Sequence, residues 1–163
     1  MPSKISWTTE TWNPVTGCSK VSPGCAHCYA ETLSLRYGYS KLPWLPQYAQ
    51  ENIVFHPDRL KTPLHWKKPR MIFVNSMSDL FHENVPFEFI DQVFDVMADC
   101  PQHIFQVLTK RPAQMLAWFY QGGGDSLPNV WLGVSAENQH WADIRIPLLQ
   151  QTPAALRFVS FEP

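Results

Sequence analysis

Cys18, Cys25 and Cys28 lie close together as C-x6-C-x2-C, inside the run Gly17-Cys18-Ser19-Lys20-Val21-Ser22-Pro23-Gly24-Cys25-Ala26-His27-Cys28-Tyr29. The C-x-x-C pair can put both sulfurs on one ion or cluster, and the Pro23-Gly24 turn lets Cys18 fold back to complete a triangle. Three thiolates in a loop suit a [4Fe–4S] cluster with one iron left open. Zinc asks for a fourth ligand, for which His27, Cys100 or a more distant histidine are the candidates. A thioredoxin-like redox dithiol is a third reading, weakened by the extra cysteine and by the loop placement. A disulfide needs an oxidising compartment, and the chain carries no export signal. Cys100 follows Met97 by three residues on an apolar stripe and reads as a small buried hydrophobe.

Four polar clusters follow apolar runs. Asn75-Ser76-Met77-Ser78-Asp79 follows Met71 to Val74, and Thr109-Lys110-Arg111 follows Ile104 to Leu108. Ser135-Ala136-Glu137 follows Val130 to Val134, and Ser160-Phe161-Glu162 follows Leu156 to Val159. Polar groups at strand ends are where barrel-like α/β proteins gather their ligand contacts. Lys110 and Arg111, beside a helix start at Pro112, make an anion site. Plainer roles compete: Ser135 as a helix N-cap, Asp79 as a turn residue, Lys110 and Arg111 as solvated charges. His82, His103 and His140 are scattered and read as structural.

The elements that must hold these groups show in the periodicity. The four apolar runs start 26 to 33 residues apart, the spacing of strand–helix–strand units. Strands apolar on both faces belong to parallel sheets covered by helices. Pro86 is expected at the first position of a helix carrying Phe87, Ile90, Val93, Phe94 and Met97 on one stripe. Pro112 opens the next, with Met115, Leu116 and Phe119 apolar and Gly122-Gly123-Gly124 ending it. A further helix capped by Ser135 displays Trp141, Ile144 and Leu148, and Pro147 is expected to break or kink it. Upstream, Ile5 to Trp7 reads as a first strand and Cys28 to Tyr37 as a first helix closed by Gly38. Residues 39–70, rich in proline and aromatics, read as an irregular insertion. The expected fold is a single α/β domain over 1–163, an open or partly closed barrel of about five parallel strands.

Composition sets the frame. A chain of 163 residues, 45% hydrophobic and 17% charged, is one globular domain, not a disordered or collagen-like polymer. No apolar run approaches the ~20 residues of a membrane span, and Met1-Pro2-Ser3-Lys4 leads into no apolar leader core. The expectation is a soluble cytoplasmic protein with no membrane partner. Net charge is −1, so nothing global draws it to a polyanion. Locally, Arg59, Lys61, Lys67, Lys68 and Arg70 stand against Asp58 alone, while residues 71–102 hold six acidic residues and no Lys or Arg. These read as two solvated faces, or as a basic ridge for a polyanionic substrate.

The cysteine cluster after a first strand resembles the radical S-adenosylmethionine (SAM) superfamily, whose common signature is C-x3-C-x-aromatic-C. This chain has six residues in the first gap and His27 in the aromatic position. More narrowly, Trp7-Thr8-Thr9-Glu10-Thr11-Trp12-Asn13-Pro14-Val15-Thr16-Gly17-Cys18 resembles an uncharacterised phage and prophage family assigned to that superfamily. So do Asn75-Ser76-Met77-Ser78-Asp79-Leu80-Phe81-His82, Leu108-Thr109-Lys110-Arg111-Pro112 and Ser160-Phe161-Glu162-Pro163. The resemblance implies a partial (β/α) barrel of the radical SAM type with a [4Fe–4S] cluster on Cys18, Cys25 and Cys28. It implies SAM on the open iron and reductive cleavage to a 5′-deoxyadenosyl radical, with a flavodoxin or ferredoxin as electron donor. Ser76, Ser78 and Asp79 take the place of the motif that receives the SAM amino group, Lys110 and Arg111 suit its carboxylate, and Ser135 and Glu137 its ribose. The substrate is left open, with nucleic acid or a nucleotide favoured by the phage-like context. Relatives typically continue through at least one more strand, so C-terminal truncation is expected. The competing reading is a non-enzymatic nucleic-acid-binding module stabilised by zinc or an iron–sulfur cluster.

Overall fold

Each of the four apolar runs becomes a parallel strand, because a run apolar on both faces is stable only where both faces are covered. The computed structural model describes residues 5–162. Met1 to Lys4, where no leader core is expected, and Pro163, the last residue of the closing motif, lie outside them. In chain order, β1 (Glu10–Trp12) and β2 (Val15–Thr16) lead into the cysteine loop and α1 (Tyr29–Arg36). Next come α2 (Ala49–Asn52), β3 (Val54–Phe55) and α3 (Pro57–Leu60). The regular half of the chain is β4 (Met71–Val74), α4 (Phe87–Ala98), β5 (Ile104–Thr109), α5 (Pro112–Tyr120), β6 (Val130–Ala136), α6 (Gln139–Gln151) and β7 (Leu156–Phe161).

The main sheet has the order β1-β4-β5-β6-β7, parallel throughout. Sequential order without reversal sends right-handed crossovers to the same side. Accordingly Ile72, Val74, Phe105, Val107, Val130, Leu132 and Val134, none more than 2% exposed, share one core with α4, α5 and α6. Ile90, Val93 and Met97 of α4, Met115 and Trp118 of α5, and Leu149 of α6 complete it. Each such side chain contributes about 1.5–3 kcal/mol by leaving water. Cys100 is fully buried in this core, as its place on the stripe predicts.

Several expectations are corrected. Ile5 to Trp7 forms turns, and the first strand is Glu10–Trp12. Its register is fixed by Trp12, 2% exposed, whose Nε1 donates to the Arg59 carbonyl at 2.8 Å, and by Thr9 N donating to the Met71 carbonyl at 3.0 Å. Pro86 is the N-cap of α4, extended at ψ 144°, and not its first helical residue. Ser135 caps no helix: it is held in β6 opposite Ser160, and Asn138 caps α6 by accepting from Trp141 N at 3.1 Å. The buried face of α6 is Ala142, Arg145 and Leu149, one position on from the expected stripe, and Ile144 is exposed. Pro147 does not break α6. Both it and Asp143, whose carbonyl loses an amide partner there, face solvent, where water can replace the bond. Residues 39–70 carry the short helices α2 and α3 as well as β3, which pairs antiparallel with β2 through Val15↔Phe55 and Thr16↔Val54.

Candidate functional site

On the sheet face away from α4, α5 and α6, a cavity of about 350 Å³ opens at the C-terminal strand ends, with α1 in its wall. Its apolar floor is Phe73 and Leu108 with Trp7, whose ring lies 4.7 Å from that of Phe73 and 6.5 Å from that of Phe158. Cys18, Cys25 and Cys28 all line it, none in a disulfide.

The loop that carries them is anchored at each step. Gly17, at φ +85°, donates its amide to the Met77 carbonyl at 2.9 Å, turning the chain from β2 toward the strand ends. Arg111 then grips the next two residues. Its Nη1 donates to Cys18 Sγ at 3.5 Å, and its Nη2 to the Ser19 carbonyl at 2.8 Å and to Ser19 Oγ at 3.2 Å. Lys20 pairs with Glu31 of α1 at 3.0 Å. Gly24 donates its amide to Glu137 Oε1 at 3.3 Å, and Glu137 Oε2 accepts from the buried Arg145 at 2.7 Å. Cys28 closes the loop as the N-cap residue of α1.

Arg111 is the hub of the electrostatics. Burial opposes its charge, but Asp79 and Glu83 outweigh burial and hold the guanidinium ionised. Burial pushes the Cys18 thiol up to about 12 even with Arg111 beside it, so the free thiol is protonated at neutral pH and a metal must displace that proton. Burial also raises the Tyr29 hydroxyl to about 12, helped by Cys28. Lys110, though burial disfavours its charge, is held above its ordinary value by Glu162, 2.8 Å from its Nζ. Glu137 lies below the usual carboxylate range: burial works against this, but bonds from Ser22 and Gly24 and the charge of Arg145 prevail. His82 drops to about 4 through burial and the nearby Arg111.

Residues 2–163 match a family described as protein of unknown function DUF5131. The chain belongs to the DUF5131 family. No curated protein and no solved structure matches it.

In this DUF5131 chain Ser76, Ser78, Asp79, Lys110, Arg111 and Ser135 line the cavity together with the three cysteines. Most are engaged within the protein. Asp79 accepts from Thr109 Oγ1 at 2.7 Å, Phe81 N at 3.1 Å, Lys110 N at 3.0 Å and Arg111 Nη1 at 3.4 Å, tying the β4 and β5 ends together. Ser78 Oγ donates to the Val15 carbonyl at 2.9 Å, Ser76 Oγ pairs with Asn13, and Ser135 Oγ donates to Glu162 at 3.1 Å. Glu137 stands behind the cysteine loop and is not among the lining residues. Cys100 sits in the helix-side core and His27 is exposed, so neither joins the cysteines in the cavity wall. Among the described residues no three His, Cys, Asp or Glu side chains gather closely enough to grip a single ion.

Sequence reasoning did not single out Asn75, Ser19 or Arg145. Asn75 carried a faint signal, since Asn after an apolar strand tolerates the left-handed conformation it adopts here at φ +59°. Arg145 carried none: a lone charge on a helix reads as solvated, whereas here it is 1% exposed and stacks 4.4 Å from the Trp141 ring centroid.

Proposed function

We propose that Cys18, Cys25 and Cys28 hold a [4Fe–4S] cluster in this cavity and that the chain is a radical SAM-type enzyme. The observation that carries the reading is that three free thiols of one loop line a single cavity at the C-terminal ends of a sequential parallel sheet. Sequential strand order with helices on one face is also the arrangement of a partial (β/α) barrel, whose ligands bind at that end.

When bound and reduced, such a cluster supplies the one electron that splits SAM into methionine and a 5′-deoxyadenosyl radical, which abstracts hydrogen from a substrate. The chain's own residues supply placement. Arg111 counters negative charge at Cys18 and keeps Ser19 against the cavity wall. Glu137 and Arg145 hold the Gly24 turn from behind. Phe73, Leu108 and Trp7 give an apolar floor that keeps water from a reactive intermediate. A flavodoxin or ferredoxin fits the need for an electron donor. The exposed Arg59, Lys61, Lys67 and Lys68 support the second reading, a metal-stabilised nucleic-acid-binding module.

Anaerobic purification followed by iron, sulfide and zinc analysis separates the two. The enzyme reading expects iron with sulfide, and release of 5′-deoxyadenosine from SAM on reduction. Cys28→Ala is expected to abolish cluster assembly, whereas Cys100→Ala costs only packing. Zinc without sulfide, or a loaded cluster that never cleaves SAM, overturns the enzyme reading.

A further inference from the structure

The cavity's hydrogen-bonding groups are unevenly engaged. Its carboxylates already have internal donors: Glu31 accepts from Trp44 N and Lys20, Asp79 from four groups, and Glu162 from Lys110, Ser135 and Ser160. The cations Lys20, Lys110 and Arg111 are held in the same pairs. Asn75 differs. It is 3% exposed, it lines the cavity, and its side-chain Nδ2 is a buried donor with no acceptor among the described residues.

The rest of Asn75 is fixed. Its backbone amide donates to the Trp12 carbonyl at 2.7 Å, its carbonyl accepts from Ser78 N at 3.2 Å, and its Oδ1 accepts from Val15 N at 3.4 Å. The last bond sets which end of the amide is which, so the end left over is the donor. A buried donor without an acceptor destabilises the fold, and this one sits on a residue held at φ +59°. That combination at a cavity wall is the signature of a group kept for a ligand.

We propose that Asn75 is a ligand-binding residue whose Nδ2–H donates to a carboxylate on the molecule bound in this cavity. The inference rests on the SAM reading above, and moves recognition of the methionine carboxylate from Lys110 and Arg111, both engaged internally, to Asn75. An acceptor-bearing ligand is required because the group it meets is a donor. A carboxylate is the strongest such acceptor SAM carries, and bonds to charged acceptors exceed neutral ones.

Asn75→Asp tests this cleanly. It keeps the shape and the oxygen that accepts from Val15 N, but replaces the donor with an acceptor. Binding of SAM and of decarboxylated SAM to the anaerobically reconstituted full chain is measured by calorimetry, with iron content and Tm recorded for each protein. The expected result is a loss of roughly tenfold or more for SAM in Asn75→Asp, no loss for decarboxylated SAM, and unchanged iron content. Equal SAM affinity in the two proteins overturns the assignment and leaves the SAM reading intact. An equal loss for both ligands overturns it too, since that marks a purely structural role. A wild-type protein that binds neither ligand overturns the SAM reading itself. If Asn75→Asp fails to fold, Asn75→Gly, which suits the positive φ, is put to the same comparison and the same outcomes.

Discussion

At the scale of single residues, the site is organised by groups whose ionisation is decided by burial. His82 is 3% exposed, and its Nδ1 accepts from Asn84 N at 3.0 Å, which leaves Nε2–H to donate to Ser19 Oγ at 2.7 Å. The imidazole is therefore neutral in the fold, with its pKa near 4 against about 6.5 in an unfolded chain. Between those values the unfolded chain binds a proton that the folded chain refuses. The stability from neutral His82 is complete above about pH 6.5 and is lost as pH falls through about 4, up to roughly 3 kcal/mol in all. Thermal melts from pH 4.5 to 7 should show Tm falling on acidification, with a shallower slope in His82→Gln. An equal slope in the variant removes His82 as the cause. Asp79 makes a related point: it belongs to the acidic stretch 71–102, yet it is 6% exposed and bonded on both oxygens. The other acidic residues of the stretch, Glu83, Glu88, Asp91, Asp95 and Asp99, are exposed, and Asp91 also accepts from Trp118 Nε1 at 2.8 Å.

At the scale of elements, the cysteine loop is placed by its entry turn. A Cβ on Gly17 would come within 1.8 Å of the Asn52 carbonyl oxygen at the end of α2. Gly38, which ends α1 at φ +71°, has nothing within 4 Å of the same position. Both need the left-handed region, which costs an L-residue about 1–2 kcal/mol, but only Gly17 adds a backbone collision. Gly38→Ala should cost about 1–2 kcal/mol in urea denaturation, and Gly17→Ala about 3 kcal/mol or more, with loss of iron binding. Similar costs for the two would mean that α2 yields readily and does not set the position of Cys18.

At the scale of the molecule, the two ends of the sheet carry different chemistry. The cavity lies at the C-terminal strand ends. The basic residues 67–70 run directly into β4, and the Arg70 carbonyl accepts from Ile104 N at 2.9 Å, which places that stretch at the N-terminal ends. Arg70 itself pairs with Glu10 and stacks on Trp66, 5.0 Å from the ring centroid. Among the described residues no helix is long and apolar enough to cross a membrane. Charge reversal of Lys67 and Lys68 to Glu should therefore leave iron content and 5′-deoxyadenosine yield within about twofold, because exposed charges farther apart than a Debye length of about 8 Å are largely screened at physiological salt. A tenfold fall in yield would show that the two ends are coupled.

The sequence alone determined the alternation of strands and helices from residue 71 onward, the burial of Cys100 and the three cysteines as a set. Those features are local: apolar periodicity and cysteine spacing are written in consecutive residues, and α4 buries the face its own pattern marks. Tertiary structure decided the rest. Trp12, and not Trp7, entered the sheet because its indole found the Arg59 carbonyl 47 residues away. Ser135 became a strand residue because Ser160 lay opposite. Arg111 and Glu137 turned toward the cysteine loop, 93 and 113 residues earlier in the chain. Asn75, in the cavity wall, was left with a buried donor that has no acceptor among the described residues. A buried polar group is settled by whichever partner the folded chain brings within 3 Å or so, and no local pattern records that partner.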